Sequence, residues 1–225
     1  MMLNKPKIAV VIPAINEETT IHQVIKSILD RGLSPIVVDD GSTDKTAKIA
    51  KEAGALVISH DINKGYESAL STGVHAAAEK KYDLVATFDA DGQLDPNDII
   101  KFALVLDSKK CDLVIGIRNY RNRYSEYLLS MLGRIRFGIK DPLCGLKLYR
   151  LKSAIQCFPF DSCKLVGMEL AFKMIERGSS FYELPIKVVR RDGESRYGSS
   201  FRGEVRILNS FFRAINKFGL IKPTK

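Results

Sequence analysis

Residues 7–12 (Lys-Ile-Ala-Val-Val-Ile) are a mostly β-branched apolar run stopped by Pro13, the pattern of a strand buried on both faces and hence of a parallel sheet. Ile21, Val24, Ile25, Ile28 and Leu29 then recur at helical spacing as far as Gly32, and Pro35–Val38 makes a second short strand, completing one βαβ unit. The rhythm continues. Thr43 and Asp44 stand where they can cap a helix through Ala53, residues 55–59 read as a strand, and an alanine-rich helix extends to about Lys81. Residues 83–88 give a fourth strand, a helix starts after Pro96, and residues 112–117 give a fifth. Strands alternating with helices predict an α/β fold: a Rossmann-like, mostly parallel sheet with helices on both faces, which binds ligands at the carboxyl ends of its strands.

After Ile117 the pattern becomes mixed. A basic segment is followed by a short strand near Leu146–Tyr149, a helix near Val166–Arg177 and a strand near Phe181–Val189. The tail sets Phe201, Val205, Leu208, Phe212 and Ile215 in one helical stripe, with Phe211 and Phe218 on its flank and Arg202, Arg206, Arg213 and Lys217 on other faces. Such a helix suits docking on the protein body or on a membrane-protein partner, and equally suits lying in the plane of a membrane surface.

Composition narrows the class. A chain of 225 residues with 45% hydrophobic and 27% charged residues is long enough for one domain with a sizeable core. The net charge of +9 invites a nucleic-acid reading, but its distribution does not. Residues 1–117 carry −4, residues 118–152 carry +7, residues 153–189 are neutral and residues 190–225 carry +6. No nucleic-acid-binding motif accompanies the two basic segments, so no nucleic-acid partner is expected. The first residues hold no apolar stretch of signal-peptide length and no run is long enough to span a bilayer, so a cytoplasmic protein is expected, with any membrane contact peripheral. Cys111, Cys144, Cys157 and Cys163 show no metal or redox spacing and read as reduced, mostly buried thiols.

The polar residues of interest fall at strand ends: Asn16-Glu17-Glu18, Asp39-Asp40-Gly41-Ser42, Asn63-Lys64-Gly65 and Asp89-Ala90-Asp91-Gly92-Gln93. Any one of these clusters is compatible with turn chemistry. Alternation in an extended segment, however, points Asp89 and Asp91 to the same side, where two carboxylates repel unless a cation joins them. Hard cations such as Mg²⁺ or Mn²⁺ take one or two carboxylates plus substrate phosphates, and Gln93 adds a neutral oxygen. Neither a G-x-G-x-x-G nor a Walker-type loop is present, and no G-x-S-x-G occurs, which removes dinucleotide oxidoreductases, P-loop enzymes and serine hydrolases. His22, His60 and His75 read as packed or solvated side chains.

These four motifs, in this order and spacing, resemble the family 2 glycosyltransferases of GT-A fold, with the closest likeness to the polyprenyl (dolichyl) phosphate mannosyl- and glucosyltransferases. The likeness covers roughly residues 7–200. It implies that Pro13, Ala14, Glu17, Val38 and Asp39 or Asp40 hold the nucleoside of a sugar nucleotide, and that Asp89, Ala90 and Asp91, with Gln93, hold the metal and diphosphate. Arg118 matches a phosphate-contacting arginine, Asp141–Lys147 a D-x-x-S-G-F-[RK] stretch, and Arg190 with Gly193–Arg196 a later R-x-x-G-x-S-K motif. Glu169 matches the position of a general base in relatives that use hydroxyl acceptors. The chain departs from the pattern at Cys144 (usually serine), Arg196 (usually lysine) and Ile15 (often aromatic), and the segment from Arg118 to Asp141 is shorter.

The resemblance implies an inverting, metal-dependent hexosyltransferase using a GDP- or UDP-sugar, with Mg²⁺ or Mn²⁺ as cofactor and a polyprenyl phosphate acceptor at the cytoplasmic face of the membrane. Residues 1–117 would form the nucleotide-sugar half and residues 118–225 the acceptor half of one continuous domain. Transfer to a sugar hydroxyl of a surface or lipid-linked glycan, and a non-catalytic binding module of the same fold, stay open as alternatives.

Overall fold

The computed structural model describes residues 6–119, 124–160, 164–189 and 201–220, the side chains of 201–203 excepted. In chain order the elements are β1 (Ile8–Ala14), α1 (Ile21–Leu29), β2 (Ser34–Asp39), α2 (Thr46–Glu52), β3 (Leu56–Ser59), α3 (Tyr66–Glu79), β4 (Leu84–Thr87), α4 (Asn97–Ser108), β5 (Leu113–Arg118), α5 (Tyr124–Leu132), β6 (Lys147–Arg150), α6 (Leu151–Ala154), α7 (Glu169–Glu176), β7 (Phe181–Ile186) and α8 (Phe201–Phe218). A π turn, Gly133–Phe137, extends α5.

One seven-stranded sheet runs in the order β3-β2-β1-β4-β6-β5-β7. All neighbours are parallel except β6, which lies antiparallel between β4 and β5. Every residue of the central β1 is buried. Alternation sends Ala9 and Val11 into the core under α3, with Leu70, Val74 and Ala77, while Ile8, Val10 and Ile12 meet Ile21, Val24, Ile25 and Ile28 of α1 and Phe102 of α4 on the other face. Helices on both faces of a mostly parallel sheet are thus what the periodicity predicts.

Several boundaries move for local reasons. α2 starts at Thr46 because the Asp44 carboxylate accepts the Thr46 backbone N–H at 2.9 Å. α7 starts at Glu169, not near Val166, because Val166 and Gly167 both hold positive φ, 54° and 78°. β7 ends at Ile186, short of Val189.

The C-terminal helix docks on the body, but not through the expected stripe. Ile207, Ser210, Ala214 and Phe218 are buried, whereas Val205 and Phe212 are exposed. Phe218 packs edge-on against Phe137 and Phe172, with centroids 5.5 and 5.7 Å away, and those two rings stack at 4.0 Å. Phe201 belongs to the predicted stripe, but its side chain lies outside the described residues. No helix among the described residues is long and apolar enough to cross a membrane.

Candidate active site

From β1 the chain moves to β2 and β3 on one side, then returns to place β4 on the other side of β1. Loops leaving β1 and β4 therefore diverge, and a crevice opens at their carboxyl ends, the usual ligand position of such sheets. The polar strand ends meet there and are stitched to one another. Asn16, at φ 52°, donates its N–H to Ser42 Oγ at 2.9 Å and accepts the Thr43 N–H on Oδ1 at 2.9 Å. Glu17 is buried; its N–H bonds Thr46 Oγ1 at 2.7 Å. The Thr20 hydroxyl stands 3.0 Å from Glu17 Oε2 and 2.8 Å from the Ala90 carbonyl, linking the β1 loop to the Asp89–Asp91 loop.

The structure separates the two adjacent aspartates that the sequence left equivalent. Asp40 is an internal anchor: its carboxylate accepts the N–H groups of Lys64 and Gly65 at 2.9 and 2.8 Å and lies 2.7 Å from His60 Nδ1. His60 Nε2 in turn is 3.0 Å from Thr72 Oγ1. Those bonds draw the Asn63-Lys64-Gly65 loop onto the β2 loop so closely that a Cβ on Gly41 would stand 2.8 Å from the backbone nitrogen of Asn63. Asp39 closes β2 opposite Ala14, and its buried Oδ1 has no hydrogen-bond partner among the described residues. An unsatisfied buried acceptor costs about 1–3 kcal/mol, which a ligand N–H would relieve. Pro13 and Val38 are paired in register and buried just beneath.

The Asp-x-Asp pair sits across the crevice. Asp89 Oδ1 accepts the Tyr66 hydroxyl at 2.8 Å, and the carboxylate lies against Gly145, where a Cβ would be only 1.9 Å from Oδ2. The Gly145 carbonyl is held by the Thr87 hydroxyl at 2.7 Å. Asp91 Oδ1 accepts the Gln93 N–H at 3.1 Å, and the Gln93 amide nitrogen donates to the Val189 carbonyl at 3.1 Å. Among the described residues no three His, Cys, Asp or Glu side chains could hold a metal ion by themselves. Carboxylate and amide oxygens are the donors that a hard cation takes together with diphosphate oxygens, so the residue types present fit such an ion.

A small open cleft is lined by Asp89, Gln93, Leu94, Arg118, Leu143, Gly145 and Val188. Arg118 reaches it from the end of β5, but most of its donors are committed: Nε and Nη2 bind both Asp141 oxygens at 2.9 Å, and Nη2 also binds Glu126 Oε2 at 3.1 Å. Nη1 makes no hydrogen bond among the described residues. Beneath the cleft, Lys147 donates Nζ to the Cys144 carbonyl, and complete burial lowers its pKa. Burial, then the Asp141 charge, pushes the Cys144 thiol up to about 12, so the cysteine standing in the serine position is an inert packing group. Cys111 and Cys157 are likewise free and buried; Cys163 lies outside the described residues.

Glu169 is not brought to this cleft. It is fully buried at the start of α7, its Oε1 held at 3.0 Å by both Lys173 and Lys217, because docking of α8 brings Lys217 over it. Glu67 lies alongside, accepting the N–H groups of Gly167 and Glu169 at 2.8 and 3.4 Å, and burial raises its pKa to about 7. Arg190 and Arg196 lie outside the described residues. Tyr66 and Thr20 reach these strand ends without having been singled out from the sequence, whereas Gly145 lies within the Asp141–Lys147 stretch that was. Tyr66 carried one signal, its place directly after the Asn63-Lys64-Gly65 strand end.

A parallel sheet with one reversed strand and a switch-point crevice holding an Asp-x-Asp pair is the architecture of a GT-A glycosyltransferase. The chain aligns with glucosyl-3-phosphoglycerate synthase of Mycobacterium tuberculosis, solved in complex with Mn²⁺, UDP and glucosyl-3-phosphoglycerate, at TM-score 0.76 and 23% identity over 98% of this chain and 82% of that one. At the sequence level the assignment becomes specific: residues 9–149 match the family described as Glycosyl transferase family 2, and the chain belongs to it. An uncharacterised Methanocaldococcus jannaschii protein is 32% identical over 92% of this chain and 91% of its own length. The UDP-N-acetylglucosamine–dolichyl-phosphate N-acetylglucosaminyltransferase of Methanococcus voltae is 30% identical over 81% and 85%. The undecaprenyl-phosphate 4-deoxy-4-formamido-L-arabinose transferase of Edwardsiella ictaluri is 29% identical over 85% and 63%.

Proposed function

We propose that this glycosyltransferase moves a hexose, with inversion, from a UDP- or GDP-sugar to a polyprenyl phosphate at the cytoplasmic face of the membrane. The observation that carries the reading is the pairing, across one crevice, of an unsatisfied buried Asp39 oxygen with a fixed Asp89/Asp91/Gln93 oxygen set. Two relatives named for dolichyl and undecaprenyl phosphate support the acceptor, and the Mn²⁺ and UDP in the mycobacterial synthase structure support the donor class.

In this reading Asp39 accepts an N–H of the base, while Pro13, Ala14, Glu17 and Val38 form the wall beneath it and Asp40 holds the wall's loop in place. Ala90 supplies backbone between the two carboxylates. Asp91, Asp89 and Gln93 would hold Mg²⁺ or Mn²⁺, which when bound would supply Lewis-acid stabilisation of the departing diphosphate. Arg118 Nη1, with Arg190 and Arg196 from the segment after β7, answers the charge that grows on the β-phosphate. The acceptor phosphate oxygen bonds to the anomeric carbon from the opposite face as the bond to the β-phosphate oxygen breaks. A phosphomonoester, with a second pKa of about 6, is largely dianionic at pH 7 and needs no general base. A sugar hydroxyl would need one, and Glu169, the carboxylate the resemblance offers, is engaged by two lysines. In this reading residues 1–117 make most of the donor contacts, while 118–225 add the arginines that face the diphosphate and receive the acceptor.

The test is nucleotide-sugar turnover on added polyprenyl phosphate, with calorimetry of UDP and GDP with and without Mn²⁺. Asp91→Ala should abolish the metal-dependent part of nucleotide binding and lower turnover by at least about 100-fold. Transfer at full rate with no lipid phosphate present would overturn the acceptor assignment.

A further inference from the structure

α5 and α8 lie side by side and parallel. The Ser125 N–H bonds Glu204 Oε2 at 3.1 Å near one end, and Arg136 Nε donates to the Phe218 carbonyl at 2.7 Å near the other. On α5, Ser125, Leu129, Leu132, Arg136 and Phe137 turn inward, while Tyr124, Leu128, Met131 and Ile135 form an outward stripe at steps of four, three and four, exposed by 88, 39, 51 and 55%. A helix of the ordinary soluble kind presents polar residues there. On α8, Ser210 and Lys217 point to Lys164 and Glu169 of the body, and Glu204 points to α5. By helical geometry Val205 and Phe212, exposed by 38 and 59%, therefore lie on the outer side of the α5–α8 seam, the same side as the α5 stripe. Leu208 and Ile215, half-buried, fall between them and the seam.

We propose that this two-helix apolar face is the membrane-docking surface of the protein, that its partner is an anionic bilayer, and that α5, rather than the C-terminal helix alone, supplies half of it. The proposal rests on the lipid phosphate acceptor inferred above. Charge selects the partner: exposed Arg134 and Arg213, one beside each helix's apolar stripe, flank the face. Anionic lipid complements that charge, whereas a second copy of the chain would set like charge against like. Tyr124 and Phe212 beside aliphatic residues, with arginines at the margin, also match the make-up of a helix seated at the level of lipid headgroups. The face is coupled to the chemistry, because Glu126 of α5 binds Arg118 at the cleft.

Flotation of the full-length protein with vesicles of phosphatidylcholine alone, or of phosphatidylcholine with phosphatidylglycerol, tests this without any polyprenyl phosphate present. Binding to the anionic vesicles is expected, weakening as salt is raised. Met131→Glu with Ile135→Glu, and separately Phe212→Glu, should each lower that partition by about tenfold or more, since each puts charge into the apolar layer. Their melting temperature and UDP binding should match wild type, because these side chains are already exposed. Leu104→Glu, at an exposed leucine of α4 remote in the fold, should change nothing. Absence of wild-type flotation, undiminished flotation of the Glu variants, or a wild-type dimer that Met131→Glu dissociates in sedimentation without any vesicle binding would each overturn the proposal. Flotation without transfer to polyprenyl phosphate in detergent would instead defeat only the acceptor assignment.

Discussion

Replacing Gly145 with alanine isolates the contact that fixes Asp89. The glycine has no positive φ, so alanine suits its backbone and the perturbation is purely steric. The new methyl would stand 1.9 Å from Asp89 Oδ2 and 2.5 Å from Cγ. Relief to ordinary van der Waals contact moves the carboxylate by roughly 1.5 Å, enough to break the Tyr66 hydroxyl bond and carry the oxygens off the cation position. A misplacement of that size at a reacting centre costs on the order of 100-fold in rate. The carboxylate can turn outward, so the stability cost should stay near the lower end of overpacking, about 1 kcal/mol. Tyr66→Phe removes only the hydroxyl and should cost about 1 kcal/mol of Asp89 positioning, a five- to tenfold loss. Initial rates, Mn²⁺-dependent UDP or GDP calorimetry and a thermal melt measure the three quantities. A folded Gly145→Ala protein with wild-type turnover and unchanged metal-dependent nucleotide binding would refute the argument.

Glu67 predicts a pH dependence. Its folded pKa of about 7 exceeds the ordinary glutamate value of 4.5, so between those values the folded state binds more protons than the unfolded one. Its contribution is fully present below pH 4.5 and is lost as pH rises through 7, a loss of order 3 kcal/mol for this group. The melting temperature of wild type should therefore fall from pH 5 to pH 8 relative to Glu67→Gln, and parallel curves would contradict the assignment. Glu169→Gln should leave the Lys173 and Lys217 ammonium groups without their shared carboxylate and destabilise the fold by about 2 kcal/mol in urea unfolding, with nucleotide binding intact. Unchanged stability with abolished turnover would instead place Glu169 in acceptor chemistry.

The sequence by itself determined the elements and the edge at which the site forms. An apolar period of two or 3.6 is a local property, so the β1 run, the α1 stripe and the polar strand ends could be read without knowing what packs on them. The place of Asp89 and Asp91 just beyond a strand end was likewise readable, because it follows from residue order alone. Long-range packing decided the rest. Asp39 and Asp40 are neighbours of the same type, and only the approach of the Asn63-Lys64-Gly65 loop commits Asp40 to backbone N–H groups and leaves an Asp39 oxygen unsatisfied. The insertion of β6 between β4 and β5 sets Gly145 against Asp89, a contact across 56 positions that no local pattern encodes. Glu169 meets Lys217, in addition to its own helix neighbour Lys173, because α8 folds back over it. In α8 itself two apolar arcs run side by side, and hydrophobicity cannot rank them. The body took Ile207, Ala214 and Phe218, leaving Val205 and Phe212 outside, since burial depends on which arc fits the Phe137–Phe172 stack and lets Lys217 reach Glu169.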